Sequence, residues 1–155
     1  MTDMPAICPS VFYKDPDAAI DWLARAFGFE LSLLLTDDAG KVAHAEMTYL
    51  GCGLKIGAEW EGPQIAPARM RSPASLEGMG TQFVSIDLPD GVDAHYEQAL
   101  AAGARISQPP EDQFYGARTY RALDPEGHVW VFRQTIRQVS NAEMEQATGL
   151  TVKVG

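Results

Sequence analysis

The chain has 155 residues, 46% of them hydrophobic, which is enough for one compact domain with an ordinary core. Its 12 basic and 21 acidic residues give a formal net charge of −9 without a basic stripe, so nucleic acid is not an expected partner. No apolar run approaches the roughly 20 residues of a membrane span, so no membrane partner is expected either. Because we find neither a signal-peptide pattern nor a disulfide framework, we expect a cytoplasmic protein.

Residues 4–60 predict one strand, one helix and three further strands, which form a first module. The first strand covers residues 7–12. Asp15 and Pro16 are typical of a helix N-cap and first helical position, and apolar residues recur at helical spacing until Gly28 ends the helix. Three strand-like runs bounded by glycine-containing turns complete the β-α-β-β-β order, at residues 29–35, 42–49 and 54–58.

The same order of elements recurs in residues 81–135, the second module. Its strands and helix are predicted at residues 81–87, 92–102, 105–107, 117–123 and 128–134. Gly53 and Gly127 are 74 positions apart, as are Gly57 and Val131, so the last hairpins of the two modules superpose by number. A duplicated unit of this kind indicates one α+β domain built from two tandem βαβββ modules, spanning residues 1–155.

Two segments lie outside the modules. Residues 61–80 are rich in proline and glycine and are predicted to be a surface linker. A flap over a cleft is the alternative, since long irregular loops are often functional. The tail, residues 136–155, contains a capping box at Ser140 and Glu143 that predicts a short helix. A helix this short needs a surface to dock on, either its own sheet or a partner chain.

The most specific pattern of the chain is a turn followed by a strand near the end of the second module. Asp124-Pro125-Glu126-Gly127 fits a β-turn, with Asp, Pro and Gly at the positions that favour them. Together with four other segments, it resembles the glyoxalase/bleomycin resistance/ring-cleaving dioxygenase superfamily (vicinal oxygen chelate fold), and in particular its PhnB-like branch. The other segments are Ala19-Ile20-Asp21-Trp22 leading to Phe27-Gly28, His44-Ala45-Glu46, Tyr115-Gly116-Ala117-Arg118, and residues 135–144.

The resemblance implies how the two modules are arranged. In that family they form a strongly curved mixed sheet around a cleft, which is commonly completed by dimerisation. We therefore expect a homodimer that binds a small molecule in its cleft. Because a fold does not fix an activity, the activity has to be argued from the residues of the cleft.

Metal-dependent members of the family place a ligand, usually His or Glu, on the first and last strand of each module. In this sequence those four positions fall on Cys8, on Gly57, on Thr81 or Gln82, and on Val131. The side chains of Gly57 and Val131 have no donor atom, and a site of this kind needs about three protein ligands. We therefore expect neither the family's divalent metal site nor another cofactor.

Side chains alternate between the two faces of a strand, so alternation and resemblance together predict the lining of the cleft. Trp130 and Phe132 should pack under the helices, and Val131 should face the cleft. A mostly apolar pocket with few polar groups is typical of a small-molecule site. The predicted ligand-binding residues are Cys8, Ser10, Phe12, Lys55, Gly57, Thr81, Phe83, Arg118, Val129 and Val131.

Several of these polar residues have alternative roles. Arg118 either binds a carboxylate or phosphate in the cleft or forms a structural salt bridge. Cys8 is a nucleophile only if its thiol pKa is depressed, and otherwise it is a small apolar filler. His44 and Glu46 lie two positions apart on one strand and face the same way, so they are candidates for acid–base catalysis, with a solvated or cross-strand polar pair as the alternative.

Two functional hypotheses follow. The first is a metal-free binding protein similar to the drug-sequestering bleomycin resistance members, for which the acidic chain favours a cationic ligand. The second is a lyase, isomerase or dioxygenase of the superfamily that uses a non-standard metal site or metal-free acid–base chemistry. The residues leave open which ligand is bound and whether it is turned over.

Overall fold

The computed structural model describes residues 5–61 and 69–155. The first module consists of β1 (Ser10–Tyr13), α1 (Pro16–Phe27), β2 (Glu30–Thr36), β3 (Val42–Tyr49) and β4 (Cys52–Ala58). A short ribbon follows, made of β5 (Trp60–Glu61) and β6 (Arg69–Met70). The second module consists of β7 (Val84–Leu88), α2 (Val92–Ala101), β8 (Arg105–Asp112), β9 (Ala117–Leu123) and β10 (Val129–Thr135). The last element is α3 (Asn141–Thr148).

Each module forms a four-stranded mixed sheet with the same topology. The strand orders are β1-β4-β3-β2 and β7-β10-β9-β8, with one parallel pair and two antiparallel pairs in each sheet. The predicted α+β fold of two tandem βαβββ modules is therefore confirmed. Within the described residues the strands of the two modules form two four-stranded sheets, one from each module, where the resemblance implied a curved mixed sheet built from both.

Three strand boundaries differ from the prediction by three residues or more. β1 begins at Ser10 and not at residue 7, and it follows Pro9, which has no N–H to contribute to a ladder. β7 begins at Val84, where pairing with Trp130 of β10 starts, and not at residue 81. β8 continues to Asp112 through two prolines, which is possible because it is an edge strand.

Part of the predicted linker is held between the two modules. Residues 62–68 lie outside the described residues, but Ser72 and Pro73 are buried. The backbone N–H of Ser72 donates to Glu59 Oε1 over 2.9 Å, and a Cβ added at Gly127 would lie 3.3 Å from Pro73 Cβ. Because Ser72 and Pro73 are anchored, they would not be part of a flap formed by the linker.

Helix α1 has the ends that the sequence predicted. Asp15 Oδ1 accepts a hydrogen bond from the backbone N–H of Ala18 over 3.1 Å, and Gly28 ends the helix at a φ of +82°. The inner side of α1 joins the two modules, because the fully buried Phe27 ring contacts Phe132 of β10 at a centroid distance of 4.7 Å. The aromatic core is therefore shared between the two modules.

A buried histidine ties α2 to this core. His95 is 9% exposed; its Nε2 lies 3.0 Å from the carbonyl oxygen of Phe27 and its Nδ1 lies 2.6 Å from the hydroxyl of Tyr120. A neutral ring with the proton on Nε2 fits both contacts, since it donates to the carbonyl and accepts from the hydroxyl. Burial lowers the pKa of His95 below its ordinary value, and burial raises that of Tyr120.

We expect His95 to make folding sensitive to acid. Because the pKa of His95 is lower in the folded chain, the unfolded chain binds the proton first as the pH falls below about 6.5. The contribution of His95 to the free energy of unfolding should therefore be constant above that pH and should decrease as the pH is lowered further. Urea unfolding between pH 8 and pH 5 measures this, and the His95→Gln variant should show a flatter pH dependence. Parallel profiles for the two proteins would contradict the assignment.

The carboxylate of Asp124 is the centre of a buried network in the turn between β9 and β10 (residues 124–128, the β9–β10 turn). Asp124 is 1% exposed. Its Oδ2 accepts from the hydroxyl of Tyr13 over 2.7 Å and from Trp130 Nε1 over 3.1 Å. Its Oδ1 accepts from the backbone N–H groups of Glu126 and His128, both over 3.0 Å. This carboxylate thus links the end of β1 to the last hairpin of the chain.

Two further side chains of the β9–β10 turn contact the first module. Glu126 accepts from the backbone N–H groups of Lys14 and Asp15 over 2.7 and 3.0 Å. His128 Nε2 lies 2.7 Å from the carbonyl oxygen of Phe12. The turn therefore holds the two modules together at the end of β1.

The start of the tail is attached to the sheet at Gly116. The backbone N–H groups of Ile136 and Arg137 both donate to the carbonyl oxygen of Gly116, over 2.9 and 3.2 Å. The predicted capping box of Ser140 and Glu143 is present at the start of α3, and none of the residues of α3 is buried. No helix in the described part of the chain is long and apolar enough to cross a bilayer.

Candidate functional site

The candidate site lies on the faces of the two sheets that are turned away from α1 and α2, which we call the open faces. On β10, Trp130 and Phe132 are buried in the shared core, as the alternation predicted. Val131 lies between them on the opposite face and is 9% exposed. Pairing places Val131 beside Ser85 of β7 and Arg121 of β9.

The open face of the first module carries a small group of charged side chains. Glu46 of β3 is opposite Lys55 of β4 and is 6% exposed. His44 lies two positions before Glu46, and His44 Nε2 is 3.4 Å from Glu46 Oε1. The structure therefore brings the two predicted acid–base candidates together on the open face.

Cys8 precedes β1 and lies within electrostatic reach of this group. Burial raises the pKa of the Cys8 thiol above its ordinary value; the charge of Lys55 lowers it and the charge of Glu46 raises it further. A raised pKa keeps the thiol protonated at neutral pH, which is the opposite of what a cysteine nucleophile needs. The geometry therefore agrees with the small-filler alternative for Cys8.

Phe12 packs over Gly57 on the open face of the first module. They are paired across β1 and β4, next to the pair of Ser10 and Lys55. A Cβ added at Gly57 would lie 3.1 Å from Phe12 Cε1, a distance at which the ring would have to shift by a few tenths of an ångström. The Phe12 ring thus occupies the space that a larger side chain at position 57 would need.

A first cavity of about 480 Å³ opens at the start of β7 and β10. Three predicted binding residues line it: Thr81, Phe83 and Val129. Thr81 and Phe83 precede β7, so they reach the cavity from a loop and not from a strand. Phe83 is 61% exposed, so an apolar surface is available to a ligand there.

A second cavity of about 470 Å³ lies where the first module meets β7. Ile7, Pro9, Leu50 and Cys52 line it from the first module, and Asp87 and Arg133 are among those that line it from the second. Among the described residues that line these two cavities, none is Cys8, Ser10, Phe12, Lys55, Gly57, Arg118 or Val131. Ligand binding by these seven residues stays a prediction.

Arg118 lies on the helix side of β9, away from the open face. Its Nε is 3.0 Å from Asp93 Oδ1 of α2, and its Nη1 is 2.8 Å from Asp112 Oδ1 of β8. Tyr120 and Ala122, which share its face of β9, belong to the core. Arg118 therefore has the geometry of the salt-bridge alternative, and it does not point into the predicted cleft.

The donor set does not fit the family's divalent metal. Gly57 and Val131 offer no side-chain donor, and burial raises the pKa of the Cys8 thiol above its ordinary value. Within residues 5–61 and 69–155, no three His, Cys, Asp or Glu side chains come close enough together to hold a metal ion. His44 and Glu46 are two protein ligands, fewer than the three that such sites use.

Two residues that the sequence prediction did not include belong to the candidate site. Leu50 lines the second cavity in a left-handed conformation, with a φ of +50°. A leucine at a hairpin position that normally takes Asn or Gly is the signal that could have identified it. Arg121 faces the open side of β9. Its neighbours Tyr120 and Ala122 are apolar, so alternation along the strand could have predicted that Arg121 faces away from the core.

Comparisons with known proteins agree with this architecture. The chain is 33% identical over 144 residues to an uncharacterized protein of Mycobacterium bovis, covering 92% of this chain and 91% of that one. TioX from Micromonospora sp. ML1 is a similar solved structure, with 31% identity, a TM-score of 0.67, and coverage of 85% of this chain and 99% of TioX. A glyoxalase/bleomycin resistance protein/dioxygenase from Nocardioides has the same fold at 20% identity, with a TM-score of 0.65 and coverage of 90% and 89%.

The family assignment rests on the largest part of the chain. A family model matches residues 7–132, a range that includes all strands and the helix of the first module, the β9–β10 turn, and the second module as far as Phe132 in β10. The order of strands in both sheets and the shared aromatic core lie within the same range. The chain therefore belongs to the glyoxalase/bleomycin resistance protein/dioxygenase superfamily.

Proposed function

We propose that this protein binds a small organic molecule in its cleft without the divalent metal that metal-dependent members of the superfamily use. The observation that carries the proposal is the pair Gly57 and Val131, which stand at two of the four metal-ligand positions without a donor atom. At position 57 the space is filled by the Phe12 ring, so a larger, metal-binding side chain would not fit there without a shift of that ring.

The two cavities support binding of a small molecule. Their volumes of about 480 and 470 Å³ lie in the range of small-molecule sites. Leu50 is kept at a backbone conformation that costs a non-glycine residue roughly 1–2 kcal/mol, and it is 52% exposed at the edge of the second cavity. An apolar side chain held in a strained and exposed position is typical of a functional contact.

Oligomeric state, family branch and cellular location are part of the same proposal. The motifs around His44, Arg118 and Asp124 support the PhnB-like branch. The helix α3, which buries none of its residues, supports a homodimer in which the partner chain covers the tail. Sedimentation equilibrium tests the dimer, and a monomer at all concentrations would contradict it. The composition supports a cytoplasmic protein without nucleic acid or membrane partners.

Elemental analysis tests the metal-free part of the proposal. Protein purified without chelator, incubated with Ni²⁺, Zn²⁺, Mn²⁺ and Fe²⁺ and then desalted should retain far less than one metal ion per chain, because the donors are missing. His44→Ala and Glu46→Ala are the matched variants and should give the same low values. A retained metal near one per chain, lost in either variant, would contradict the proposal.

A second candidate function is metal-free acid–base catalysis by the superfamily's cleft. The observation that favours it is the contact of 3.4 Å between His44 Nε2 and Glu46 Oε1, with Glu46 almost fully buried. Such a pair can hold and pass a proton next to a bound molecule. Recovery of a bound ligand tests it: chemically unchanged ligand supports pure binding, whereas conversion that His44→Ala abolishes supports catalysis.

A further inference from the structure

Two arginines share the open face of the second module. Arg121 of β9 is directly opposite Val131 of β10, and Arg133 follows Val131 by two positions on the same face. Arg121 and Arg133 are therefore diagonal neighbours across an antiparallel pair of strands. The Cα atoms of such neighbours are roughly 7–8 Å apart. Long arginine side chains at this spacing can reach one and the same small group.

The two guanidinium groups differ in what they contact. Arg133 Nε lies 2.8 Å from Asp87 Oδ1, and its guanidinium carbon lies 5.7 Å from the centre of the Tyr115 ring. The side chain of Arg121 makes no hydrogen bond and no ion pair with any residue in the described part of the chain. Glu111 also lies on this face, opposite Thr119, but it forms no ion pair with Arg121 within the same residues.

Arg118, three positions earlier on the same strand, shows the opposite behaviour. Its guanidinium is held by Asp93 and Asp112 on the helix side of the sheet, with contacts between 2.8 and 3.2 Å. Arg118 thus has a structural role, because carboxylates of its own chain bind its guanidinium group. Arg121 has the same donors and lacks such partners within the described residues.

The surface around Arg121 is fixed and amphipathic. On one side, Val131 is almost buried and gives an apolar floor. On the other, Thr119 is 3% exposed, and its Oγ1 accepts from Gln108 Nε2 over 3.2 Å and from Gln113 Nε2 over 3.1 Å. A ligand at this place therefore meets an ordered surface with a cationic end and an apolar end.

We propose that Arg121, together with Arg133, binds the carboxylate of a planar aromatic acid whose ring lies over Val131 and beside Tyr115. The planar guanidinium fork matches a carboxylate with two parallel hydrogen bonds. The inference rests on the proposed small-molecule function and names its ligand class. The ligand is thus an anion, in contrast to the cationic ligand that the net charge of the chain favours.

Three probes of one shape test the charge preference: 1-naphthoate, neutral 1-naphthamide and cationic 1-naphthylmethylammonium. Titration calorimetry should show the tightest binding for 1-naphthoate, and its affinity should fall with added salt, because the contact is between opposite charges. Amide signals of β9 and β10 should shift in two-dimensional NMR spectra.

Substitutions test the residue. Arg121→Gln should weaken 1-naphthoate about tenfold or more and leave 1-naphthamide unchanged, because only the anion uses the guanidinium. Arg121→Lys, which keeps the charge and removes the planar fork, should give an intermediate loss. Arg25→Gln, with the same change of charge on the outer side of α1, is the matched control and should bind like the unmodified protein. Thermal unfolding checks that each variant is folded.

The outcomes separate this inference from the proposed function. If 1-naphthamide or the ammonium probe binds at the open faces as tightly as 1-naphthoate, the small-molecule function stands and the anionic ligand is wrong. If Arg121→Gln dissociates a dimer without weakening 1-naphthoate, Arg121 is an interface residue and the inference is also wrong. If none of the three probes binds, the inference is wrong, whereas the proposed function is decided separately by thermal-shift screening of a broad panel of small ligands.

Discussion

Replacement of Asp124 by alanine should destabilise the fold by about 3–5 kcal/mol, the usual cost of breaking a buried polar network around a charge. The loss leaves the Tyr13 hydroxyl and the Trp130 indole N–H without an acceptor in a site that is 1% exposed or less. It also removes the acceptor for the backbone N–H groups of Glu126 and His128. Urea unfolding, followed by tryptophan fluorescence, measures the change in free energy.

Two companion variants sharpen the test of Asp124. Asp38→Ala removes the same charge from an exposed turn and should change the free energy of unfolding by less than about 0.5 kcal/mol. Tyr13→Phe removes one donor and leaves the other contacts of Asp124, so it should cost roughly 1 kcal/mol. A loss below about 1 kcal/mol for Asp124→Ala would mean that the network is not what joins the modules.

Gly116→Ala should be the second most damaging single change, at about 2–4 kcal/mol. Gly116 has a φ of +85°, and a Cβ there would overlap the carbonyl oxygen of Arg137 and come within 2.7 Å of Val139 Cγ2. The tail would have to move away from the only backbone group that holds its first residues in the described structure. Chemical unfolding measures the stability, and limited proteolysis should show faster cleavage of residues 136–155.

Gly103→Ala is the matched control for this overlap. Gly103 has a φ of +88° and nothing within 4 Å of an added Cβ, so this variant adds the backbone strain alone. It should cost roughly 1 kcal/mol. Equal losses for the two variants would show that Gly116 matters for its backbone conformation and not for the close approach of the tail.

The elements that the sequence predicted well are those with local signals. The ends of α1 follow from Asp15 and Gly28, and the hairpin from β9 to β10 follows from its turn residues. The starts of β1 and β7 were placed three residues too early, because a strand begins where its partner offers hydrogen bonds. That partner lies far away in the sequence, so no local pattern contains the information.

The site was harder to predict than the fold because side chains alternate along a strand. An error of one residue in the alignment of a strand therefore moves every side chain to the opposite face. Arg118 and Arg121 are on the same strand, but Arg118 faces α2 and Arg121 faces the open side. The core residues Tyr120 and Ala122 fix this alignment once they are known to be buried. Leu50 was missed for another reason: it lies in a predicted turn, where a leucine in place of Asn or Gly was a signal that the prediction did not use.

The turns at corresponding positions of the two modules, β3–β4 and β9–β10, have different structural roles. The β9–β10 turn contacts β1 and the residues just after it through Asp124, Glu126 and His128, whereas Leu50 in the turn between β3 and β4 and Cys52 at the start of β4 are exposed and line a cavity. The later turn is therefore tied to the stability of the fold, whereas substitutions at Leu50 or Cys52 should change the lining of the second cavity at little cost in folding free energy.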